Sequence, residues 1–223
     1  MNRTSANGPG ASLRDRILKA ARNLFLNNGY FGTTTGKIAA DAGTSESGIF
    51  RLFPDGKYEV LMAVYNDCWG EVNSEVEMRL PPRDEDPRRI LLEILHTVWS
   101  LYETKPLLMS FIIINTGNTD TLLVAKRERA IITDENVRYI QRIDDLCEKC
   151  AKQKLLPRGL TARAAREALL GLTEGILLGW YLADKGPKAR YPEKVTIDEA
   201  LAVAAVIVNG VGLTGATVSL KKH

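Results

Sequence analysis

The sequence predicts an all-α fold, with an N-terminal unit of three helices followed by a larger helical domain. Apolar residues recur three or four positions apart along most of the 223 residues, which is the period of an amphipathic helix. Capping residues and glycines mark where these helices begin and end. We therefore divide the chain into a disordered N-terminal arm (1–12), a three-helix domain (13–61) and a helical domain (62–223).

The composition is that of an ordinary soluble globular protein, with 45% hydrophobic and 26% charged residues. Residues 1–11 contain no apolar run of the kind that forms a secretory signal. The longest apolar runs fall far short of the roughly 20 residues needed to cross a bilayer. Three cysteines are an odd number and do not indicate a disulfide framework. We therefore expect a cytoplasmic protein with no membrane partner.

Positive charge is concentrated near the N-terminus. Residues 1–57 carry eight basic and four acidic side chains, a net charge of +4, whereas the whole chain has a net charge of +3. This asymmetry indicates a polyanionic partner at one end, although a chance imbalance of a few charges gives the same count.

The first helix is predicted over residues 13–28. Ser12 is a typical N-cap, and the residues that follow place one apolar stripe along the helix. Gly29 ends the helix, because glycine adopts positive φ without steric cost. The stripe consists of Leu13, Ile17, Ala20, Ala21, Leu24 and Phe25.

Two short helices joined by a tight turn come next. Thr33 or Thr34 caps a helix over 35–42, and Ser45 caps a helix over 46–53. Helices this short are marginal alone in water, so they must pack against the first helix. The result is a helix-turn-helix unit.

A continuous pattern of turn and core residues runs through these helices: Gly29-Tyr30-x-x-Thr33-Thr34-x-x-x-Ile38-Ala39-x-x-Ala42-Gly43-x-Ser45-x-x-x-Ile49-Phe50-x-x-Phe53. It resembles the N-terminal DNA-binding domain of TetR/AcrR-type transcriptional repressors over about residues 13–61. The resemblance implies a homodimeric regulator that binds operator DNA. It also implies a repressor that leaves the DNA when a small, largely apolar molecule binds the C-terminal domain.

Three positions depart from the family's pattern. Phe50 stands where the family usually has Tyr, so a hydroxyl that contacts a DNA phosphate is missing. Thr44 replaces the usual Val, and the connector from Phe53 to Lys57 is one residue longer. These departures leave the helices intact and affect individual phosphate contacts.

The DNA-contacting residues are predicted from their places in this unit. Thr34 lies at a helix N-terminus, which attracts a phosphate, and Lys57 begins the fourth helix. Glu46 is placed to accept from a cytosine amino group, or is simply an acid favoured in a first turn. Gly48 either leaves room for the groove wall or is only a missing side chain. The predicted set is Thr34, Lys37, Phe50, Arg51 and Lys57 near phosphates, with Thr44, Ser45, Glu46, Ser47 and Gly48 near base edges.

The rest of the chain also reads as helices. Pro87 suits a first helical turn, and Thr196 with Glu199 forms a capping box. A kink is expected near Thr133-Asp134. Helices are predicted over 55–78, 88–103, 106–114, 120–154, 162–184 and 197–213.

Small residues form a stripe on each of the last two helices, which lets another helix approach closely. In the family these two helices form the dimer interface, and close packing within one chain is the alternative. Each glycine within a helix lowers helix stability by up to about 1 kcal/mol relative to alanine. The stripes are Ala164, Ala168, Gly171, Gly175 and Gly179, and Ala200, Ala204, Val208 and Gly212.

Aromatic and soft residues gather in the middle of the chain and are candidates for a ligand pocket. His96, Asn115, Thr116 and Glu174 are its candidate polar groups. Plain core packing is the competing interpretation. The pocket candidates are Tyr65, Trp69, His96, Trp99, Tyr102, Met109, Phe111 and Trp180.

Other kinds of site have weaker support. Cys147-x-x-Cys150 has no second ligand pair for zinc. Asp144-Asp145 faintly resembles the metal-binding motif of helical isoprenoid synthases, but a second acidic motif is missing. We therefore predict a regulator without cofactor or metal, and not an enzyme. A ligand-independent or activating regulator, or a helical enzyme using Asp144 and Asp145, remains the alternative.

Overall fold

The computed structural model describes residues 11–82, 85–117, 133–185 and 193–210. Within these ranges every regular element is an α-helix, so the predicted all-α class is confirmed. None of the described helices is both long and apolar enough to cross a membrane. The helices are α1 (Leu13–Gly32), α2 (Thr35–Ala42), α3 (Glu46–Leu52), α4 (Lys57–Arg79), α5 (Pro87–Thr104), α6 (Pro106–Gly117), α7 (Asp134–Lys152), α8 (Ala162–Lys185) and α9 (Ile197–Asn209).

The chain divides into two compact units. The first comprises Met1–Gly70 and Ser110–Glu135, and the second comprises Glu71–Met109 and Asn136–His223. The division therefore falls within α4, nine residues after the predicted end of the first domain at 61. The predicted boundary followed the family pattern, which stops near the start of α4. The residues of α4 up to Gly70 still belong to the first unit by their contacts.

The first unit is built on α1. Ser12 and Asp15 form a capping box at its start, and burial of Ile17, Ala21 and Phe25 confirms the predicted stripe. Gly29 has φ 67° and ψ 177°, so the regular helix is broken where the sequence predicted its end. A short helical segment follows this kink and carries α1 to Gly32.

Helices α2 and α3 follow the predicted turn. Gly43 ends α2 in the left-handed conformation (φ 65°), and the Ser45 side chain accepts a hydrogen bond from the backbone N–H of Gly48. Helix α2 packs against α1 and α3. Their buried faces carry Ile38, Ala39 and Ile49, so the short helices gain their stability from packing, as predicted.

In the second unit α5 is the central element. Asp86 caps it, Pro87 occupies its first turn, and helices α8 and α9 both pack against it. Its large side chains, including Trp99 and Leu95, are fully buried. The predicted Thr196–Glu199 capping box is present at the start of α9.

Some predictions fall outside the described residues. These are the arm over 1–10, the first part of the helix predicted over 120–154, and the chain beyond Gly210, which includes Gly212. At Thr133-Asp134, where a kink was expected, the described helix begins.

Candidate nucleic-acid interface

The start of α3 presents small polar side chains. Ser45, Glu46 and Ser47 are exposed, and the hydroxyl oxygens of Ser45 and Ser47 lie 2.8 Å apart. The Ser45 hydroxyl also accepts from the Gly48 N–H at 3.2 Å, which fixes the first turn. These are the positions predicted to face base edges, and their exposure is compatible with that role.

Gly48 differs from its neighbours because it is buried. A Cβ placed on Gly48 would overlap the Thr44 hydroxyl. Glycine at this position therefore makes room for Thr44 rather than for DNA. The Thr44 hydroxyl occupies the space that a side chain at position 48 would need. Thr44 is one of the three departures from the family pattern.

Glu46 contacts the preceding helix. Its Oε2 accepts a hydrogen bond of 2.8 Å from the hydroxyl of Thr35 at the start of α2. Its Oε1 lies 3.0 Å from the position that a Cβ on Gly36 would occupy. The carboxylate thus lies across the first turn of α2, which neither sequence-based interpretation of Glu46 anticipated.

The N-terminus of α2 is the predicted phosphate site. The exposed Thr34 caps it, with its hydroxyl accepting from the Lys37 N–H at 3.2 Å. The Lys37 ammonium turns back to the carbonyl oxygen of Gly32 at 2.8 Å. Thr34 and Lys37 therefore lie together at the start of this helix, with an exposed positive charge beside the N–H groups that attract anions.

Lys57 has an internal role that the sequence analysis missed. Its ammonium donates to the carbonyl oxygens of Tyr30 at 2.7 Å and Thr33 at 2.8 Å. It also lies 4.0 Å from the centre of the Tyr30 ring. Burial lowers the pKa of this ammonium below its ordinary value. The residue thus connects the start of α4 to the end of α1, whereas its predicted phosphate contact stays a prediction.

The longer connector after α3 forms a tight turn. Gly56 has φ 67°, and its N–H donates to the carbonyl oxygen of Phe53 at 2.9 Å. The Phe50 ring covers this turn, with Cε1 3.0 Å and Cζ 3.6 Å from the position of a Cβ on Gly56. The ring is still 48% exposed. The exposed Arg51 follows it on α3.

The residues predicted to line a ligand pocket are packed as core. Tyr65, Trp69 and Phe111 belong to the first unit and the others to the second. His96 is half-buried, 4.0 Å from Glu93. The side chains of Asn115 and Thr116 lie outside the described residues. The rest of the predicted set is buried: Tyr65, Trp69, Trp99, Tyr102, Met109, Phe111 and Trp180.

A cavity of about 500 Å³ in the second unit is lined by other residues, from α4, α5 and α7. It combines apolar side chains with both signs of charge. Sequence reasoning missed it because its lining is not aromatic. The lining includes Leu80, Ile90, Leu146, Arg138, Arg142 and Lys149.

The small-residue stripe of α8 lies on an open face. Ala164, Ala168, Gly171 and Gly175 are exposed, and a Cβ on Gly171, Gly175 or Gly179 would meet no atom within 4 Å. These glycines therefore do not serve close packing within the described chain, which was the alternative interpretation.

The predicted stripe on α9 is present but does not lie on an open face. Ala200, Ala204 and Val208 are fully buried because this face of α9 packs inside the second unit. The exposed face of α9 carries Val203 (49%) and Val206 (41%) instead. Small residues alone did not distinguish the inner face from the outer one.

The weaker candidate sites are occupied by structural contacts. Cys147 and Cys150 are fully buried, and burial raises the pKa of their thiols to about 12 and about 11. Asp144 pairs with Arg166 at 3.3 Å. Across the part of the chain that the structure describes, no three His, Cys, Asp or Glu residues are grouped to hold a metal ion.

Comparisons with known proteins agree with the helix-turn-helix geometry. Residues 17–64 match the family model described as bacterial regulatory proteins, tetR family. The HTH-type transcriptional regulator AcrR of Shigella flexneri is 27% identical over 180 residues, which cover 76% of this chain and 79% of that protein. The matched family and this relative are both described as transcriptional regulators.

Solved structures share the fold. FadR from Bacillus subtilis in complex with stearoyl-CoA has a TM-score of 0.67 at 17% identity, covering 88% of this chain and 98% of that one. AibR in complex with isovaleryl coenzyme A and operator DNA has a TM-score of 0.57 at 16% identity, covering 89% and 99%. At these identities the likeness concerns the fold alone.

Proposed function

The chain is similar to the TetR/AcrR-type transcriptional regulators, and from that similarity we propose that it is a homodimeric repressor. It acts in the cytoplasm, where operator DNA lies. Helix α3 enters the major groove, and a small-molecule effector bound to the second unit releases the DNA.

The exposed first turn of α3 is the observation that carries the DNA-binding part. Ser45 and Ser47 project from a turn held by two hydrogen bonds, and the capped N-terminus of α2 supplies a place for a phosphate beside it. Polar residues at the start of a recognition helix read base edges, while phosphate contacts set its position. The excess positive charge of residues 1–57 supports the same role.

The open face of α8 supports the dimer. Gly171 and Gly175 would let a partner helix approach closely, and Leu178 on the same helix is 43% exposed. Val203 and Val206 give α9 an exposed apolar face as well. Two such helices from each chain form a four-helix interface. A dimer bound to successive major grooves places its two recognition helices roughly 34–36 Å apart, one turn of DNA.

An acyl-coenzyme A is the effector class that we propose. Two proteins of the same fold are described with acyl-CoA molecules. The cavity of the second unit combines apolar side chains with three cationic ones, Arg138, Arg142 and Lys149, beside the acidic Glu77 and Asp145. An acyl-CoA combines an apolar chain with an anionic head, which the cationic side chains would bind. A ligand lowers DNA affinity only to the extent that it binds the released conformation better.

The test begins by selecting bound sequences from a pool of random duplexes. A single palindromic motif with half-sites one helical turn apart supports the proposal, and the absence of any preferred sequence contradicts it. Fluorescence anisotropy with the selected duplex then compares stearoyl-CoA, isovaleryl-CoA and free coenzyme A. Release by an acyl-CoA but not by coenzyme A supports the effector class, and no release contradicts it.

Transcription from a promoter carrying the selected sequence decides the direction of control. Lower transcription in the presence of the protein supports a repressor. Higher transcription would instead identify an activator that uses the same DNA-binding unit.

A further inference from the structure

We propose that Glu46 restrains DNA binding by holding its carboxylate on the first turn of α2, where a DNA phosphate must dock. The inference rests on the proposed function, since it concerns how the same helix-turn-helix takes up DNA. It assigns Glu46 a role other than reading a base, and it makes Gly36 the residue that permits that role.

Two contacts define the position of the carboxylate. Glu46 begins α3, yet its Oε2 accepts from the Thr35 hydroxyl at 2.8 Å, on the neighbouring helix. Its other oxygen, Oε1, lies 3.0 Å from the Cβ position of Gly36. Thr35 and Gly36 are the first two residues of α2. Both carboxylate oxygens therefore lie at the N-terminal end of that helix.

A negative charge at this place interferes with a phosphate. The first N–H groups of a helix attract anions, and at α2 the Thr34 hydroxyl already accepts from the third, that of Lys37. A DNA phosphate that reaches Thr34 approaches the same turn as the Glu46 carboxylate. Because like charges repel, the phosphate docks fully only after the carboxylate has moved away.

Gly36 is what allows the carboxylate to reach this turn. A side chain there would place a Cβ 3.0 Å from Oε1, which is closer than ordinary van der Waals contact. Alanine at position 36 would thus force the carboxylate to shift by a few tenths of an ångström without removing a charge. This gives a way to separate the position of the carboxylate from its charge.

The experiment uses the full chain and a mixed-sequence duplex without a preferred site, so that base reading does not contribute. Dissociation constants are measured for Glu46→Ala, Gly36→Ala and the double variant across a range of salt concentrations. Asp41→Ala is the matched control, because Asp41 is an exposed acid at the other end of α2. Circular dichroism and thermal unfolding verify that each variant is folded.

We expect Glu46→Ala to bind the duplex about three- to five-fold more tightly at low salt, which is the range for exposed charges. Gly36→Ala should bind about two-fold more tightly, and should add nothing in the Glu46→Ala background. Asp41→Ala should change the affinity less than Glu46→Ala does, because its charge lies at the far end of the helix.

Two results would overturn the inference. One is a Glu46→Ala variant that binds the mixed-sequence duplex no more tightly than the parent chain. The other is a Gly36→Ala effect that persists when Glu46 is already alanine. Failure of the proposed function gives a different result, since neither the parent chain nor any variant would then bind duplex DNA.

Discussion

The ammonium of Lys57 donates a hydrogen bond to the carbonyl oxygen of Tyr30 across 27 positions of the chain, at 2.7 Å. Together with the bond to Thr33, it satisfies carbonyl oxygens near the end of α1. The family resemblance assigns this lysine to a DNA phosphate. The geometry shows that its charge is already used to join two helices of the first unit.

Replacing Lys57 by Met separates these roles, because Met keeps the apolar stem and removes the ammonium. We expect the free energy of unfolding to fall by about 1 kcal/mol, since the Thr33 carbonyl oxygen loses this donor and the Tyr30 carbonyl oxygen keeps only the Thr33 N–H. We also expect the slope of log affinity against log salt to change by less than the roughly one unit that a full phosphate contact contributes.

Urea unfolding and DNA titrations at several salt concentrations measure both quantities. Lys37→Met is the matched comparison, because the Lys37 ammonium is exposed and lies at the α2 phosphate site. Its slope should change by about one unit. A full unit of change at Lys57 with unaltered stability would show that Lys57 acts mainly on DNA.

Restoring the missing hydroxyl at Phe50 should strengthen DNA binding. The ring carbon that would carry it, Cζ, lies 3.6 Å from the Cβ position of Gly56, next to the start of α4. A hydroxyl there is exposed enough to donate to a phosphate, which is worth about 1 kcal/mol or roughly five-fold in affinity. Fluorescence anisotropy of Phe50→Tyr measures the gain, with Phe50→Leu as the control. Equal affinity of Phe50→Tyr and the parent would mean that no phosphate reaches this ring.

The two small-residue stripes should respond oppositely to a larger side chain. Gly175→Leu adds a side chain on the open face of α8, so the folded chain should remain while its dimer dissociates. Ala204→Leu adds volume to a fully buried position and should lower stability by about 1–3 kcal/mol. Light scattering and urea unfolding measure the two effects. A Gly175→Leu protein that still dimerises at low micromolar concentration would exclude this face of α8 as the interface.

The paired cysteines of α7 should be unreactive in the folded protein. Burial raises the thiol pKa of Cys147 to about 12 and of Cys150 to about 11, so the thiolate form is disfavoured. Below the thiol pKa of the unfolded chain, the neutral thiols make their full contribution to the stability of the folded state. This contribution is lost as pH rises toward 11–12, because the thiols ionise more readily in the unfolded chain. Ellman's reagent at pH 8 should label both residues much more slowly in buffer than in urea, with peptide mapping to separate them from Cys68. Equal rates in the two solvents would contradict their burial.

The local sequence was sufficient to predict where most of the helices begin and end. The N-caps at Ser12, Thr34 and Ser45 and the left-handed Gly43 depend on interactions within a few residues, and all are present. The pattern through residues 29–53 also carried the resemblance to the TetR/AcrR-type regulators, because helix-turn-helix packing places its core residues at fixed spacings. Gly29 breaks α1 where the end was predicted, whereas the end of α6 at Gly117 was placed too early, because an asparagine marks a possible end without enforcing one.

The order of residues thus determined by itself the all-α class, the helix-turn-helix and the resemblance to the TetR/AcrR-type regulators. The tertiary structure alone decided which atoms of that unit meet. Lys57 reaches Tyr30, Glu46 reaches Thr35, and α9 turns Ala204 inward and Val203 outward. Caps and helical periods are set by neighbours along the chain, whereas these contacts join residues on different helices. They depend on how the helices pack. Before that packing is known, the same side chains suit a contact with another helix of the chain as well as a contact with DNA or a partner chain.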